Sequence, residues 1–247
     1  MDRLIYSSLA AMRGALSRQA TIANNLANVN TTGFRGEMDN ARALWLSGKG
    51  EDTRATVSNE VQGADMTAGT VTATGRDLDV AMNRDAMLAV QADDGEEAYT
   101  RRGDLQQSAS GLLTTGDGKP VMGQSGPITL PPYDSLSISE DGTIYIVPQG
   151  GDPKSPQQVD KLKLVSPKGS QIAKGLDGLF RVKGGGTLPA DPDASVTSKS
   201  LEGSNVSAAS ALVDMIDASR AWDSQVKMLT TAQDLDKSTA DLMQLPE

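Results

Sequence analysis

Two narrow apolar seams, one at each end of the chain, most constrain how it can fold. Within each seam the residues recur at alternating steps of four and three. Such a heptad line is narrower than the apolar stripe of a globular helix, so a single helix cannot bury it alone. We expect each terminal helix to need partner helices from elsewhere in the chain, from another copy, or from both. The seams are Ile5, Leu9, Met12, Leu16, Gln19, Ala23 and Leu26, and Ala208, Leu212, Met215, Ser219, Trp222, Val226 and Leu229.

The first seam ends in a stretch rich in amides, residues 22–34. Asn24, Asn25 and Asn28 place polar side chains beside the seam, where an ordinary core helix carries Leu or Ala. A polar amide at a packed position lowers stability but selects one register and one partner. Asn and Gly tolerate the left-handed backbone conformation, so the segment 30–33 predicts the end of a helix that starts near Met1.

Composition excludes several classes of function. The net charge of −9 argues against nucleic acid as a partner, since phosphate backbones need Lys and Arg. His and Cys are both absent, which rules out catalysis and zinc binding through imidazole or thiolate groups. No apolar run approaches the roughly 18 residues that span a bilayer, and the amino terminus lacks a secretory signal. We therefore expect no membrane insertion, no cleaved signal peptide, no cofactor and no metal.

The middle of the chain reads as β structure. Asp77–Ala81 alternates polar and apolar residues as a half-buried strand does, and Met87–Val90 is a more buried candidate. Further strands are predicted at 143–147 and 159–165. Asp-Gly dipeptides of the kind found in hairpin turns separate the apolar runs, which favours a barrel or a sandwich. These dipeptides are at 94–95, 117–118 and 141–142.

The organisation predicted is α+β, with terminal helices that pair as a coiled coil around an inserted all-β domain. Ser204 or Asn205 is the expected amino-terminal cap of the second helix. The segment after the first helix reads as an extended arm with short strands, or alternatively as a flexible linker. The predicted boundaries are 1–33 for the first helix, 34–75 for the arm, 76–187 for the β-rich domain, 188–204 for a return linker and 205–247 for the second helix.

Two acidic pairs were weighed as chemical sites. Asp77 and Asp79 share one face of the predicted strand, as the carboxylates of a hydrolase do, but the alternation places both on the solvent face of an edge strand, which is the favoured interpretation. Asp191 and Asp193 lack the ordered ligand series of a calcium loop, which favours a solvated turn. A carboxylate-dependent hydrolase and a β-domain binding module on an oligomerising helical stalk remain alternatives to a structural protein.

Four segments of the sequence resemble one known family. Residues 23–34 are similar over a dozen consecutive positions to the amino-terminal signature of the bacterial flagellar rod and hook proteins. Residues 76–103 and 123–128 resemble the β-domain of rod proteins, and residues 201–221 resemble their carboxy-terminal signature. Two segments depart from the family pattern while keeping its packing character, 86–88 and 220–223. The opening residues, the segment 189–192 and the chain length are most like the proximal-rod branch, with the distal-rod branch as the alternative.

The resemblance implies a structural subunit of the basal-body rod, the drive shaft that transmits torque to hook and filament. It implies export through the flagellar type III apparatus, a location in the periplasm, and partners that are copies of itself and the other proximal and distal rod subunits. The terminal helices would form the inner tube, and the β-domain the outer layer. The expected assembly interface comprises Ile5, Leu9, Met12, Leu16, Asn24, Asn25, Leu26, Asn28, Thr32, Gly33, Phe34, Asn205, Val206, Leu212, Met215, Ile216, Trp222, Val226 and Leu229.

Overall fold

A computed structural model of the chain describes residues 2–45 and 55–243. In the sequence, two long helices, α1 (Asp2–Ala27) and α2 (Ala208–Met243), precede and follow a β-rich middle. The strands are β1 Glu37–Trp45, β2 Ala55–Ala64, β3 Val71–Ala73, β4 Val80–Met82, β5 Met87–Gln91, β6 Glu97–Thr100, β7 Leu105–Gln107, β8 Leu113–Thr115, β9 Tyr133–Ile138, β10 Thr143–Pro148, β11 Gln157–Lys161, β12 Leu164–Val165, β13 Ile172–Lys174, β14 Phe180–Val182, β15 Val196–Ser198 and β16 Ser200–Glu202.

The chain divides into two compact units. The helical unit contains Met1–Ala27, Glu37–Gly63 and Ser207–Glu247, and the β unit contains Asn28–Gly36 and Ala64–Val206. Each unit is therefore assembled from segments that are far apart in sequence. The α+β class predicted from the sequence is confirmed.

In the helical unit, α1 lies against α2 and against β1, and β1 pairs with β2. The segment predicted as an arm with short strands thus contains a two-stranded ribbon. Helix α1 ends at Ala27 and is followed by a turn, close to the predicted end. Helix α2 begins at Ala208, where the Ser207 hydroxyl accepts a hydrogen bond from Ser210 N (3.4 Å). The predicted cap at Ser204 or Asn205 was wrong.

The β unit contains a five-stranded sheet in the order β12-β5-β6-β14-β13 and a three-stranded sheet in the order β11-β10-β9. Shorter two-stranded pairs join β4 to β15, β3 to β16 and β7 to β8, and all of these neighbours run antiparallel. The described strands form open sheets and no closed barrel, so the barrel alternative is not supported.

Strand β5 is buried on both faces because it lies between two apolar clusters. Successive side chains of a strand point to opposite faces. Leu88 and Val90 accordingly belong to the larger core, while Met87 and Ala89 belong to a smaller one. The neighbouring strand β6 is divided in the same way, and its Tyr99 lies in the smaller cluster. The burial predicted for this segment is confirmed.

The predicted Asp-Gly turns are confirmed. Gly95 (φ 84°) connects β5 to β6, Gly142 (φ 82°) connects β9 to β10, and Gly118 (φ 84°) follows β8. Positive φ is the conformation that Gly adopts at little cost, which explains why each turn carries Gly at this position.

Two strand predictions need correction. The strand expected at Asp77–Ala81 begins only at Val80, and its three residues are all buried instead of alternating. The run 159–165 is divided between two sheets, since β11 pairs with β10 whereas β12 pairs with β5. The chain crosses between the sheets around Leu162, which periodicity within one strand cannot reveal. Among the described residues, no helix is long and apolar enough to cross a membrane.

Candidate assembly site

A buried ion cluster lies in the β unit and joins three distant parts of the sequence. The Glu202 carboxylate accepts bonds from Arg35 Nη2 (2.7 Å) and Arg101 Nη2 (2.6 Å), and all three side chains are at most 2% exposed. Gly69 N donates to the same carboxylate at 2.8 Å. A buried carboxylate needs such partners, because removal from water costs several kcal/mol that only charge pairing and hydrogen bonds offset.

Every N–H of Arg101 has an acceptor. Its Nε and Nη2 bond to Glu202, while Nη1 and Nη2 donate to the carbonyl oxygens of Met82 (2.7 Å), Arg84 (2.7 Å) and Ala86 (2.8 Å). Arg84 adopts a positive φ of 51°, an uncommon conformation for a residue other than Gly. The loop between β4 and β5 is therefore shaped around this guanidinium group.

Arg35 is paired less completely. Its Nη1 donates to the carbonyl oxygen of Thr67, and among the described atoms its buried Nε has no acceptor. Burial and, second, the charge of Arg101 lower the pKa of Arg35 from its ordinary value, while Glu202 acts in the opposite direction. The cluster thus holds two guanidinium groups around one carboxylate, and Glu202 is the member on which both depend.

Gly33 brings the amino-terminal signature directly against the Arg101 backbone. Its φ is +66°, and a Cβ atom at this position would lie 2.3 Å from the carbonyl carbon of Arg101. Gly33 N donates to the carbonyl oxygen of Glu202 at 2.8 Å. Only Gly satisfies both the conformation and the close approach, which confirms the left-handed turn predicted at this position.

Asn205 connects three segments of the chain next to the ion cluster. Its Oδ1 accepts from Gly36 N (2.8 Å), and its Nδ2 donates to the carbonyl oxygens of Asp65 (2.8 Å) and Thr67 (3.1 Å). Its backbone N donates to the carbonyl oxygen of Phe34 (3.3 Å). The segments 34–36, 65–67 and 203–205 are therefore held together by one amide side chain.

Phe34 and the Asn side chains have distinct intramolecular contacts. Lys174 Nζ lies 3.8 Å from the centre of the Phe34 ring, a cation–π contact, and donates to the carbonyl oxygen of Arg35. In the helical unit, Asn25 Oδ1 accepts from Glu37 N (2.8 Å) and its Nδ2 donates to Glu37 O (2.9 Å). Asn24 Nδ2 donates to Glu37 Oε1 (2.8 Å). These amides fix where β1 begins.

In the β unit, the Asn28 side chain accepts a hydrogen bond from the Thr31 hydroxyl (3.1 Å), which stabilises the turn after α1. The interface candidates Thr32 and Val206 are partly buried near the same chain segments. The predicted interface residues Asn24, Asn25, Asn28 and Phe34 therefore make contacts within one copy of the chain.

Helix α1 buries a line that only partly coincides with the predicted seam. Met12, Gln19 and Leu26 are partly buried, as the seam requires. Leu9 and Leu16 are instead 42% and 50% exposed. The residues one position earlier take the inward places: Ser8 and Ile22 are buried, and Ala15 is partly buried. The side chain of Ile5 lies outside the described residues.

Helix α2 repeats the same displacement. Met215, Trp222 and Leu229 are partly buried, and the small residues Ala211 and Ala218, four positions before Met215 and Trp222 respectively, are buried. The predicted seam members Leu212 and Val226 are exposed, as is Ile216, and the exposed fraction of Leu212 and Ile216 is about one half. Both helices thus turn small side chains inward, which permits close helix approach, and leave large apolar side chains outside.

The acidic pairs weighed as chemical sites do not form such sites. Asp79 is 1% exposed, accepts a hydrogen bond from the Thr74 hydroxyl (2.7 Å) and pairs with Arg76 (3.5 Å), whereas Asp77 is exposed. The two carboxylates therefore share no face, and the expectation that both lie on a solvent face was wrong for Asp79.

The second pair, Asp191 and Asp193, lies in a turn, as expected, where Asp191 accepts from Asp193 N at 3.0 Å. Within residues 2–45 and 55–243, no group of acidic side chains is arranged to hold a metal ion.

Sequence reasoning missed the roles of Arg35, Arg101 and Glu202. Arg101 and Glu202 stood inside segments singled out for their family likeness, but nothing local indicated that they pair. They are 101 positions apart, and periodicity in a single sequence gives no signal for contacts over such a distance. The sequence offered one clue to the role of Arg35, namely a charged residue two positions after a Gly that was expected to adopt a left-handed conformation.

Three regions of the chain match models of known protein families, and they include the three segments that meet at the ion cluster. Residues 5–35 match the family described as "Flagella basal body rod protein". Residues 81–146 match "Flagellar hook protein FlgE/F/G D1 domain", and residues 197–242 match "Flagellar basal body rod FlgEFG protein C-terminal". Each matched region contributes one member of the ion cluster: Arg35, Arg101 and Glu202.

Proteins that are similar to the chain over nearly its full length are named flagellar basal-body rod proteins. The chain is 41% identical over 240 residues, 95% of each protein, to the flagellar basal-body rod protein FlgF of Salmonella typhimurium and to that of Escherichia coli. It is 30% identical over 259 residues to the flagellar basal-body rod protein FlgG of Bacillus subtilis, covering 95% of this chain and 97% of the relative. With three matched regions in order and this identity over nearly its full length, the chain belongs to the family of flagellar basal-body rod proteins.

Proposed function

We propose that this chain is a structural subunit of the flagellar basal-body rod, built into its proximal part. The observation that carries the proposal is a set of exposed apolar side chains on the two helices, Leu9 and Leu16 on α1 and Leu212, Ile216 and Val226 on α2. Exposed apolar side chains that recur along one helix favour association, since their burial stabilises a complex by about 25 cal/mol for each Å² removed from water.

The two faces of each helix would have different uses. The inner face, lined by residues such as Ser8 and Ala218, packs within one copy. The outer face, with Leu16 and Ile216, would pack on helices of neighbouring copies. If the two surfaces of this contact differ and its rotation does not close into a ring, the contact repeats along an axis and builds a helical tube. The helices would then pair as a coiled coil in the assembled state, with a heptad line on each side.

The β unit would form the outer layer of this assembly. Its buried ion cluster and Asn205 hold the segments 28–36 and 201–206 together, which are the parts of the chain that follow α1 and precede α2. Within the β unit, these contacts would hold in place the two chain segments that continue into the helices. Such buried contacts suit a subunit of a drive shaft.

The partners and the location proposed for this chain are inferred from its membership of the rod-protein family. We infer export through the flagellar type III apparatus to a position in the periplasm beside the other proximal and distal rod subunits. The chain would act without catalysis, in keeping with the absence of His and Cys from its sequence. The proximal assignment is favoured by the 41% identity to FlgF proteins against 30% to an FlgG protein.

The test is complementation of cells that lack their own copy of this gene. The wild-type chain should restore swimming in soft agar, and the variant Leu16→Ser/Ile216→Ser should not, although it accumulates to the same level. The matched control Val71→Ser changes an equally exposed apolar residue in the β unit and should swim normally. Swimming by the helix variant at the wild-type rate would contradict the proposal.

The position of this chain in the rod distinguishes the proximal assignment from the distal one. In basal bodies arrested before the distal rod is added, a tagged copy of this chain should be present in purified particles. Its absence from such particles, with presence in complete basal bodies, would favour the distal assignment.

A further inference from the structure

Three segments of the β unit meet at a junction that is built from hydrogen bonds and ion pairs. They are residues 33–36, 65–70 and 200–205, and we call them together the latch. Within the described chain, neither apolar cluster contains a residue of the latch. Separation of the three segments would therefore leave the apolar core of the β unit covered.

The first and last segments of the latch bond directly to each other. Gly33 N donates to the carbonyl oxygen of Glu202 at 2.8 Å. Asn205 accepts from Gly36 N at 2.8 Å through its side chain, and its backbone N donates to the carbonyl oxygen of Phe34 at 3.3 Å. Release of either segment thus removes hydrogen-bond partners from the other.

The middle segment of the latch bonds to both of the others. Asp65 N donates to the carbonyl oxygen of Gly36 (2.7 Å), and Gly203 N donates to the carbonyl oxygen of Thr70 (2.9 Å). A Cβ atom on Gly69 would overlap the carbonyl oxygen of Gly203, so the two backbones are in direct contact. Because each segment holds the other two, we expect all three to separate in one event.

Glu202 lies where the latch meets the core. On the core side, Arg101 keeps three carbonyl acceptors when Glu202 is removed. On the latch side, Arg35 bonds to Glu202 and to the carbonyl oxygen of Thr67, and among the described atoms its buried Nε has no acceptor. Opening would return the Glu202 and Arg35 charges to water, which recovers the hydration lost on burial. We therefore expect opening of the latch to cost less free energy than unfolding of the core.

The latch also contains the parts of the chain that continue into both helices. Gly33 follows the end of α1 at Ala27 by six positions, and Asn205 precedes the start of α2 at Ala208 by three. Opening of the latch would consequently free both connecting segments at the same time, while the sheets of the β unit stay folded.

We propose that the latch is a conformational switch within the β unit. It opens and closes as one unit, separately from the apolar core, and it releases the two connecting segments together. The coupling is reciprocal, so a change in one terminal segment of the latch must act on the other by the same factor. This inference goes beyond the proposed function and does not depend on it, because it concerns a single copy of the chain.

Hydrogen exchange of the isolated full-length chain, resolved to single amides, tests the switch. Gly33 N, Gly69 N and Gly203 N report on the three segments of the latch, and Ala89 N and Val121 N report on the core. After correction for intrinsic rates, the three latch amides should agree within about threefold and should exchange at least about 100-fold faster than the two core amides. Latch amides as slow as the core amides would overturn the proposal.

Asn205→Ala tests whether the segments open together. The Asn205 side chain bonds to Gly36, Asp65 and Thr67, and to none of the three latch amides that serve as reporters. Exchange at all three reporters should nevertheless accelerate by one common factor of about ten. Acceleration confined to the residues that Asn205 contacts would show that the segments open independently.

Ile144→Val tests whether the latch opens separately from the core. Ile144 lies in β10, is fully buried in the larger apolar cluster and is outside the latch. Loss of one buried methylene group should accelerate exchange of the two core amides about fivefold and leave the three latch amides unchanged. Equal acceleration of the latch amides would mean that the latch opens only when the whole β unit unfolds, which would overturn the proposal.

Lys174→Met keeps the test decisive if Asn205→Ala does not fold. Lys174 contacts the segment 33–36, and the variant keeps the aliphatic chain while it removes the ammonium group. Exchange should accelerate about fivefold at Gly33 N and equally at Gly203 N, in the opposite segment. The matched control Lys168→Met removes an exposed ammonium group and should change neither amide. Acceleration at Gly33 N alone would overturn the proposal.

Discussion

The helical unit and the β unit bury their side chains in opposite ways. In the β unit, large apolar residues such as Leu88 and Ile144 are fully buried, and the buried Glu202 is paired with Arg35 and Arg101. In the helical unit, Ala211 and Ala218 point inward while Leu212 faces water. The β unit thus buries its large apolar side chains within one copy. The helical unit leaves large apolar side chains exposed, and we expect its stability to depend on contacts with further copies.

Glu202→Gln should have the largest effect on the isolated chain. The change leaves two buried guanidinium groups without a carboxylate, and breaking a buried ion pair costs about 3–5 kcal/mol. The free energy of unfolding of the β unit, followed by urea titration, reports it. The control Glu96→Gln removes an exposed carboxylate and should change that free energy by less than about 0.5 kcal/mol. Equal stability of the two variants would show that the ion cluster does not stabilise the β unit.

Gly33→Ala should follow in size, at about 3 kcal/mol. The new Cβ atom must adopt a positive φ and also overlap the Arg101 backbone. Gly75→Ala is the matched control, since Gly75 has φ +78° with nothing within 4 Å of its added Cβ, and strain alone should cost about 1–2 kcal/mol. Thermal unfolding measures both. If the two variants lost the same stability, the close approach at residue 33 would contribute nothing.

Tyr99 should give the β unit a sensitivity to alkaline pH. Burial chiefly raises the pKa of Tyr99 to about 12, above the value of about 10 in an unfolded chain. The neutral hydroxyl group therefore stabilises the fold fully below about pH 10, and this contribution is lost as the pH rises toward 12. The loss amounts to about 2–3 kcal/mol.

Tyr99→Phe isolates this titration from that of other groups. The difference in unfolding free energy between wild type and Tyr99→Phe, measured by urea titration from pH 8 to pH 12, should shift by the same 2–3 kcal/mol in favour of the variant. A difference that stays constant across this range would show that Tyr99 titrates alike in the folded and unfolded states.

The smallest effect on the isolated chain is expected in the helical unit. Leu212→Ser/Ile216→Ser removes exposed apolar surface, and the unfolding free energy should change by less than about 0.5 kcal/mol per site. Assembly into basal bodies should nevertheless be lost. A large destabilisation of the single copy would mean that these residues are already buried in its ground state.

The sequence predicted the local features of the fold well. The left-handed turn at Gly33, the turns at Gly95 and Gly142, and the burial of Met87–Val90 all follow from short-range chemistry, namely backbone freedom at Gly and runs of apolar residues. These signals act within a few residues, so a single sequence contains them.

Features that depend on tertiary partners were placed less accurately. The seam of α2 was expected to include Leu212, but Ala211 takes the inward place. Heptad spacing gives the direction of a stripe to within about one residue, and the choice between neighbours depends on how closely the partner helix approaches. The ion cluster was missed for the same reason, because pairing between Arg101 and Glu202 is set by the folded sheets and not by local sequence.

Hydrogen exchange of the full-length chain, analysed by mass spectrometry before and after assembly, tests the central claim most directly. In the isolated chain, amides of α1 and α2 should exchange at least about 100-fold faster than those of β5, since the helical unit lacks part of its packing. In purified basal bodies the helices should become as protected as β5, whose own protection should not change. Helices as protected as β5 in the isolated chain would contradict the claim that the helical unit is incomplete without neighbouring copies.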